Sequence, residues 1–388
     1  MTSNTADPVS SVPRGLAGVV VTDTELSDVR GREGFYHYRQ YSAIDLARTR
    51  SLEDVWFLLL SGHLPDGPES TAFTAEVAAA RTIPDELSTL LPGVAAATVA
   101  GGSLDGLRTA VSLLGSIRRL EPLWDRPPDR RRHQAVATAA AVPTVLAALH
   151  RLSRGLEPIP PDRDLGHAAD FLRMLGGVEP DPADARMIEQ YLVLTVDHGF
   201  NASTFTARVI ASTGADLVAC LVGAVGALSG PLHGGAPSRA LDTLDAIGTP
   251  EAADGWIRDR LLAGERIMGF GHPVYRTEDP RSRMLRELAT ARGGALVDLA
   301  VHVESRVLAL LAELRPDRAL HTNVEFYAGV VMDLCGLPRE LFTPTFAVAR
   351  VLGWTANILE QATDRKIIRP AARYVGPPAP KPVPPPPS

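Results

Sequence analysis

The spacing of apolar positions along the chain predicts a protein built mainly from helices. From Ser42 onward, apolar residues recur every three or four positions, which places them on one face of a helix. Residues 66–160 alternate segments rich in Ala and Leu with short breaks that contain Pro, Gly or Asp. A helical hairpin, 165–175 and 184–194, follows. We therefore predict an all-α fold.

The segment before Ser42 has a different pattern. Two runs of strand-forming residues, 19–22 and 35–38, flank a turn-forming Arg-Gly-Arg-Glu-Gly sequence, so a small N-terminal β-hairpin is expected. Residues 1–14 are polar and contain Pro and Ser, which predicts a disordered N-terminus. The proline tail at 376–388 cannot form a core, so disorder or polyproline II structure is expected there.

The largely apolar segment between His198 and His233, within residues 191–239, predicts a buried helix. Its small residues, such as Ala219 and Gly223, would let another helix approach closely. Pro231 and the glycines around it end the helix and leave His233 in a turn, where glycines let a ligand approach the backbone. One histidine in such a turn is about as often structural as functional, so other clusters must decide its role.

Composition and charge narrow the possible functions. The chain has 388 residues, a net charge of -6 and a pI near 5.9, which gives no electrostatic footprint for nucleic acid or an anionic membrane. The first residues show neither an Arg-rich presequence nor an apolar h-region, so no targeting segment is expected. Charged and polar residues interrupt 204–228, which is expected to be the nearest approach to a membrane span. Cys220 and Cys335 are predicted to be buried thiols in a reducing compartment. We expect a cytoplasmic protein.

Several chemistries are disfavoured. Lysine occurs only at Lys366 and Lys381, so a Schiff-base mechanism has at most one candidate outside the tail. The chain has no Gly-Lys-Ser/Thr phosphate loop and no Gly-x-Ser-x-Gly motif.

Three further positions suggest a site for anionic ligands. Residues 268–281 form a loop with glycines beside His272 and with two arginines, Arg276 and Arg281, which can pair with carboxylate or phosphate. Glu325 lies among apolar and aromatic residues, where burial would raise its pKa and make it a base near neutral pH. Arg350 interrupts an apolar helix and needs an anionic partner if it is buried.

These positions lie in motifs that resemble the citrate synthase family in order and approximate spacing. The motifs are His198-x2-Asn201-Ala-Ser-Thr-Phe, Gly230-Pro-Leu-His-Gly-Gly235, Gly269-Phe-Gly-His272, Asp279-Pro-Arg281, Asn323-Val-Glu-Phe-Tyr327 and Ala349-Arg350-x2-Gly-Trp. The likeness extends over roughly residues 15–375 and favours a functional role for both His233 and His272.

The resemblance implies a citrate synthase-like, two-domain helical fold and a homodimer. The small domain would comprise 235–337, and the large domain would comprise 15–234 and 338–375. The helices rich in Ala and Gly would then be candidates for the dimer interface.

The resemblance also implies a Claisen-type condensation of acetyl-CoA with oxaloacetate, without a metal or a permanently bound cofactor. His233 would hydrogen-bond the thioester oxygen of acetyl-CoA while Glu325 removes a methyl proton. His272 would polarise the ketone of oxaloacetate. Hydrolysis of the citryl thioester would then make the reaction effectively irreversible.

Substrate-binding residues follow from the same resemblance. The oxaloacetate carboxylates would be held by His198, Arg281 and Arg350, joined by Arg369 from the other subunit. The candidates for the CoA phosphates and adenine are Arg276 and the backbone of Met268, Gly269, Phe270 and Gly271.

One departure from the family pattern concerns the base, which is usually aspartate and is Glu325 here. The extra methylene displaces the carboxylate by roughly one bond length, and a misplacement of ~1 Å can cost about 10²-fold in rate. The hypotheses are a citrate synthase, a 2-methylcitrate synthase that uses propionyl-CoA, and a catalytically weak homologue that binds CoA esters or dicarboxylates.

Overall fold

The structure is a computed structural model that describes residues 12–99, 102–234, 237–272, 274–316 and 320–384. Its N-terminal part contains a small antiparallel sheet of β1 (Ser27–Arg30), β2 (Phe35–Tyr38) and β3 (Tyr41–Ser42). The predicted turn and the strand at 35–38 are confirmed. The prediction of a strand at 19–22 is wrong, because the partner of β2 is 27–30.

Two buried tyrosines anchor this sheet to the helices. Tyr36 and Tyr38 are the buried positions of β2, whose side chains alternate between buried and partly buried. Their hydroxyls donate hydrogen bonds to the carbonyls of Leu194 (3.1 Å) and Val193 (2.9 Å), respectively. The valines at 19–21 have no such partner on the sheet, so strand propensity alone does not make them a strand.

Helices make up most of the remaining described structure, as predicted. The first ten are α1 (Ala43–Thr49), α2 (Leu52–Ser61), α3 (Gly67–Ala80), α4 (Asp85–Thr98), α5 (Ser103–Ile117), α6 (Pro128–Ser153), α7 (His167–Gly176), α8 (Pro182–Thr195), α9 (Ala202–Ala211) and α10 (Leu217–Leu228). They are followed by α11 (Pro237–Ile247), α12 (Pro250–Leu262), α13 (Pro280–Arg292), α14 (Ala295–Leu314), α15 (Val324–Leu334) and α16 (Phe342–Gln361).

Helices α1 to α10 and α16 form a first group of helices. Helix α6 is central to this group and packs against α3, α4, α5, α7 and α16. By length and composition it could cross a membrane, so 204–228 is not the nearest approach to a span as expected. However, 83% of its most apolar window is buried inside the protein, as in a core helix of a soluble protein.

The apolar segment predicted as a buried helix is two helices, α9 and α10, that pack against each other. Gly214 adopts a left-handed φ of +81° between them, and Asp216 caps α10 by accepting hydrogen bonds from the amides of Val218 and Ala219. The predicted end of the segment is confirmed, since α10 stops at Leu228 before the turn that carries His233.

Helices α11 to α15 pack mainly on one another, with α12 against α14 and α15 against both α11 and α13. They join the first group where α13 and α15 contact α8 and where α11 contacts α16. The predicted domain limits at 235 and 337 stay a prediction.

The chain ends are extended where they are described. Residues 365–384 have no helix or strand and are mostly exposed, whereas 1–11 and 385–388 lie outside the described residues, so the disorder expected there stays a prediction. Cys220 is buried as expected, but Cys335 is only partly buried. Both are free thiols.

Candidate active site

Six of the predicted site side chains line one cleft with a volume of about 720 Å³. They come from separate segments of the chain and are His198, His233, His272, Arg281, Glu325 and Arg350, joined by the backbone of Gly271. The extended residues 19–22 line the same cleft. A second cleft of about 730 Å³, between the end of α16 and the start of α6, has no histidine among its lining residues.

His233 lies in the turn after α10, where its backbone amide donates to the Gly230 carbonyl (2.9 Å). Its Nε2 is 2.8 Å from the hydroxyl of Ser203, which also accepts a hydrogen bond from the Trp354 indole (3.2 Å). The same hydroxyl lies 2.8 Å from Oδ1 of Asn201, so its single proton can go either to Asn201 or to His233. The His233 ring carries its proton on Nδ1 only when Ser203 donates to Nε2. Burial, and then the charge of Arg350, lowers the pKa of His233 to about 4. The ring is therefore neutral at pH 7.

His272 has a defined tautomer. Its Nδ1 accepts hydrogen bonds from the amides of Val274 (3.0 Å) and Tyr275 (3.1 Å), so Nδ1 carries no proton and the proton of the neutral ring lies on Nε2. Burial, and then Arg281, lowers the pKa of His272 to about 4. His272 is thus a neutral hydrogen-bond donor at pH 7.

Asp279 fixes Arg281 at the start of α13. One carboxylate oxygen caps the helix through the Arg281 amide (3.0 Å) and accepts from its Nε (3.0 Å), while the other accepts from Nη2 (2.8 Å). Although burial lowers the pKa of Arg281, the adjacent Asp279 carboxylate raises it above the usual value. The same carboxylate accepts from the Val324 amide (3.1 Å) and so connects Arg281 to the segment that carries Glu325.

Arg350 is a buried cation that makes few hydrogen bonds with the described residues. Only 2% of its surface is exposed, its Nε donates to the Thr195 carbonyl (2.8 Å), and its guanidinium lies 4.4 Å from the centre of the Phe346 ring. Its terminal nitrogens make no hydrogen bond to any described residue. The nearby Asp197 carboxylate raises the pKa of Arg350, but burial outweighs this and lowers it. A buried guanidinium on a cleft wall requires an anion.

Glu325 lies in the first turn of α15. The side-chain oxygen of Asn323 caps this helix by accepting from the Glu325 amide (3.0 Å), and the side-chain nitrogen of Asn323 donates to the Gly271 carbonyl (2.9 Å). Burial raises the pKa of the Glu325 carboxyl to about 7, against a lowering contribution from Arg281. The prediction of a raised pKa is therefore confirmed.

His198 follows α8, and its Nε2 lies 3.0 Å from the hydroxyl of Tyr275. Burial, followed by the charges of Arg281 and Arg350, lowers the pKa of His198 well below its usual value. Its ring centre is 5.7 Å from that of His272. The two arginines are thus accompanied by two neutral histidines.

The remaining predicted residues do not line the cleft. Arg276 is exposed and lines a smaller cavity together with His272. Phe270 pairs with Thr322 in an isolated bridge and packs on Phe326, and Met268 and Gly269 precede it. Arg369 is exposed in the extended segment after α16. Their predicted roles with CoA and at a subunit interface stay predictions.

Three functional contacts were missed by the sequence analysis. Ser203, Tyr275 and Asp279 orient His233, His198 and Arg281 respectively. Two of the three had a signal, because Asp before Pro marks the start of a helix and Ser203 lies in the His198-x2-Asn201-Ala-Ser-Thr-Phe motif. The partners of Ser203 and Tyr275 were not predictable, since these contacts join residues that are 30 and 77 positions apart.

The assembled groups can support proton transfer beside a carbonyl group. They provide one carboxyl with a pKa near 7, neutral hydrogen-bond donors for a developing oxyanion, and two cations for carboxylates. Among the described residues, no group of three or more His, Cys, Asp or Glu side chains is placed to hold a metal ion.

Known proteins resemble this chain over nearly its whole length. A family model described as citrate synthase, C-terminal domain, matches residues 15–371. Citrate synthase from Deinococcus radiodurans is 38% identical over 381 residues, which cover 95% of this chain and 97% of the relative. 2-Methylcitrate synthase from Mycobacterium tuberculosis is 39% identical over 381 residues, which cover 97% of this chain and 93% of the relative.

The fold matches as well. The ternary complex of carboxymethyl coenzyme A and oxaloacetate with citrate synthase from Thermoplasma acidophilum has a TM-score of 0.87 at 26% identity, and the match covers 97% of this chain and 99% of that one. Sequence and fold lead to one conclusion: the chain belongs to the citrate synthase family.

Proposed function

We propose that this enzyme condenses acetyl-CoA with oxaloacetate and hydrolyses the citryl thioester to citrate and CoA. The observation that carries the proposal is Glu325, whose carboxyl has a pKa of about 7 and lines the same cleft as two neutral histidines and two buried arginines. A base with a pKa near the working pH combines a large ionised fraction with useful basicity.

The first step is removal of a methyl proton from acetyl-CoA by the Glu325 carboxylate. Negative charge then develops on the thioester oxygen, where His233 donates a hydrogen bond. With a pKa of about 4, His233 stabilises this charge as a neutral donor. Ser203 holds the ring in place through Nε2.

The second step is attack of the enol carbon on the ketone of oxaloacetate. His272 carries its proton on Nε2, which lies 3.3 Å from Nη2 of Arg281, so two donors converge on one point. The ketone oxygen and a carboxylate oxygen of oxaloacetate are suitable acceptors there. Arg350 would bind the second carboxylate, and His198 would complete the pocket.

The proposal also includes residues that bind CoA and a homodimeric assembly. Arg276 and the backbone of 268–271 would contact the CoA phosphates and adenine at the rim of the site. Arg369 would reach the oxaloacetate carboxylate in a homodimer, which fits its position in an exposed segment after α16. The enzyme would act in the cytoplasm with acetyl-CoA as a cosubstrate and without a permanently bound cofactor.

Two alternatives remain distinguishable. Propionyl-CoA should be tested as the acyl donor because the chain is 39% identical to a 2-methylcitrate synthase. A weak homologue that only binds CoA esters or dicarboxylates would have little use for a carboxyl with a pKa of about 7. We therefore favour the synthase.

The test is release of CoA by the purified protein in the presence of oxaloacetate, with acetyl-CoA and propionyl-CoA compared. Burial raises the pKa of both Cys220 and Cys335 to about 12, so the protein's own thiols should react slowly with the detecting reagent. Turnover of acetyl-CoA supports a citrate synthase, and a preference for propionyl-CoA supports a 2-methylcitrate synthase. Absence of CoA release with both thioesters, despite oxaloacetate binding, would contradict the proposal.

A further inference from the structure

A small cavity lies beside the two groups proposed to activate the acyl donor. Its volume is about 30 Å³, and its walls include Tyr191 and Thr195 of α8, Ala328 of α15 and Phe346 of α16. His233 and Glu325 line both this cavity and the main cleft. A group held between His233 and Glu325 therefore has the cavity directly beyond it.

Tyr191 makes one wall of this cavity polar. The side chain is fully buried, and its hydroxyl has no partner in good hydrogen-bond geometry among the described residues, although the neighbouring Thr195 side chain is close enough to lower its pKa. Burial raises the pKa of this hydroxyl, while Arg350 lowers it and Glu325 raises it, so both charged groups are close. The cavity has room for a water molecule, which needs at least ~10–15 Å³, and Tyr191 and Glu325 would be its hydrogen-bond partners.

We infer that Tyr191 is a specificity residue that limits the length of the acyl group, an inference that rests on the proposed function. With acetyl-CoA, the methyl group lies at Glu325 and leaves the cavity to a water that pairs with the Tyr191 hydroxyl. With propionyl-CoA, the terminal methyl enters the cavity, displaces that water and leaves a buried hydroxyl unpaired. An unpaired buried hydroxyl is costly, so the longer acyl group is disfavoured.

Ala328 closes the cavity from another side. It lies on α15 one helical turn after Glu325, and only 1% of its surface is exposed. Extra methyl groups at this position would occupy much of a volume of about 30 Å³. The length of the acyl group is therefore restricted by the polar hydroxyl of Tyr191 and by the space left beside Ala328. Single substitutions can change these two restrictions separately.

The experiment compares kcat/KM for propionyl-CoA and acetyl-CoA in the wild type and in single variants. Tyr191→Phe removes the hydroxyl at nearly constant volume and should raise the propionyl-to-acetyl ratio about tenfold. Ala328→Val fills the cavity and should lower the same ratio. Tyr374→Phe, at an exposed tyrosine, is the matched control and should leave the ratio unchanged.

The ratio is informative because both thioesters are tested on the same protein, so a purely structural effect of a substitution changes both alike. A ratio within twofold of the wild type in Tyr191→Phe would overturn the inference, whatever the result for Ala328→Val. If Tyr191→Phe does not fold, an unchanged ratio in Ala328→Val would overturn it instead. If the wild type releases CoA from neither thioester, the proposed function itself fails, which is a different outcome.

Discussion

At the residue scale, Glu325 combines a chemical advantage with a structural cost. Burial raises its pKa to about 7 and so keeps a carboxyl basic enough to remove a carbon-bound proton. Above pH 7 the native state must hold this carboxylate in a poorly solvated place, whereas the unfolded chain ionises it freely. Catalysis and stability therefore oppose each other at this position.

Glu325→Gln tests both effects. We expect kcat to fall by about 10²–10⁴ because the base is lost, while the affinity for oxaloacetate, measured by calorimetry, changes little. At pH 8 the variant should be more stable in urea than the wild type, by up to about 3 kcal/mol. Unchanged turnover would remove Glu325 from the base role.

Arg350→Ala tests the binding of the substrate carboxylate. Arg350 is buried and lines the cleft, so we expect the KM for oxaloacetate to rise about 10- to 100-fold. Arg258→Ala is the control, since that arginine forms an exposed ion pair with Glu313. Wild-type oxaloacetate affinity in Arg350→Ala would contradict the assignment.

Sequence motifs located the groups that line the cleft but not all the residues that hold them. His233, His272 and Glu325 lie in short motifs with glycine or asparagine neighbours, and such motifs are visible in a sequence. Ser203 and Tyr275 are ordinary residue types whose roles depend on tertiary contacts. No local pattern distinguishes a serine that contacts a histidine from one that is merely buried.

At the element scale, helix ends and one close helix approach position the site. Asp279 and Asn323 cap α13 and α15 and fix Arg281 and Glu325 near each other. In α16, Gly353 allows the helix to approach the segment before His198. A Cβ atom at Gly353 would lie 2.1 Å from the Val196 carbonyl oxygen.

Gly353→Ala should therefore force α16 away from that segment. We expect a loss of about 1–3 kcal/mol in unfolding free energy, together with a raised KM for oxaloacetate, because Arg350 lies one turn away on the same helix. Gly255→Ala in α12 is the control, since nothing lies within 4 Å of a Cβ atom there. That variant should be as stable as the wild type or up to about 1 kcal/mol more stable. Equal stability of the two variants would refute the close-approach argument.

Two element predictions were wrong for identifiable reasons. The valines at 19–21 have strand propensity, but β2 pairs with 27–30, where the turn and the buried tyrosines fix the register. The apolar segment before His233 was expected to be a helix, yet Gly214 and the Asp216 cap divide it into two. In both cases local turn and cap chemistry outweighed apolar composition.

At the scale of the whole molecule, buried neutral histidines should make the protein sensitive to acid. His167 at the start of α7 is 1% exposed and packs on Trp56, and neither ring nitrogen has a partner among the described residues. Burial, and then Arg81, lowers its pKa to about 3. Below pH 6.5 the unfolded chain binds a proton that the native ring does not, so stability falls as pH falls.

His167→Leu should weaken this dependence. Each such histidine can contribute up to about 1.4 kcal/mol per pH unit, so the urea midpoint of the variant should fall less between about pH 6 and pH 5 than that of the wild type. His133→Leu is the control, since 68% of its side chain is exposed. An identical pH dependence in His167→Leu and the wild type would show that His167 titrates normally in the folded protein.

The central claim is that Glu325 acts as the base in this cleft, and the most direct test is the pH dependence of kcat/KM for acetyl-CoA at saturating oxaloacetate. The three cleft histidines stay neutral above about pH 6, so one ionisation should control the profile. The value should rise about tenfold per pH unit below pH 7, then level off near pH 7 and above. A flat profile, or a midpoint near the ordinary value of 4.5, would contradict the account.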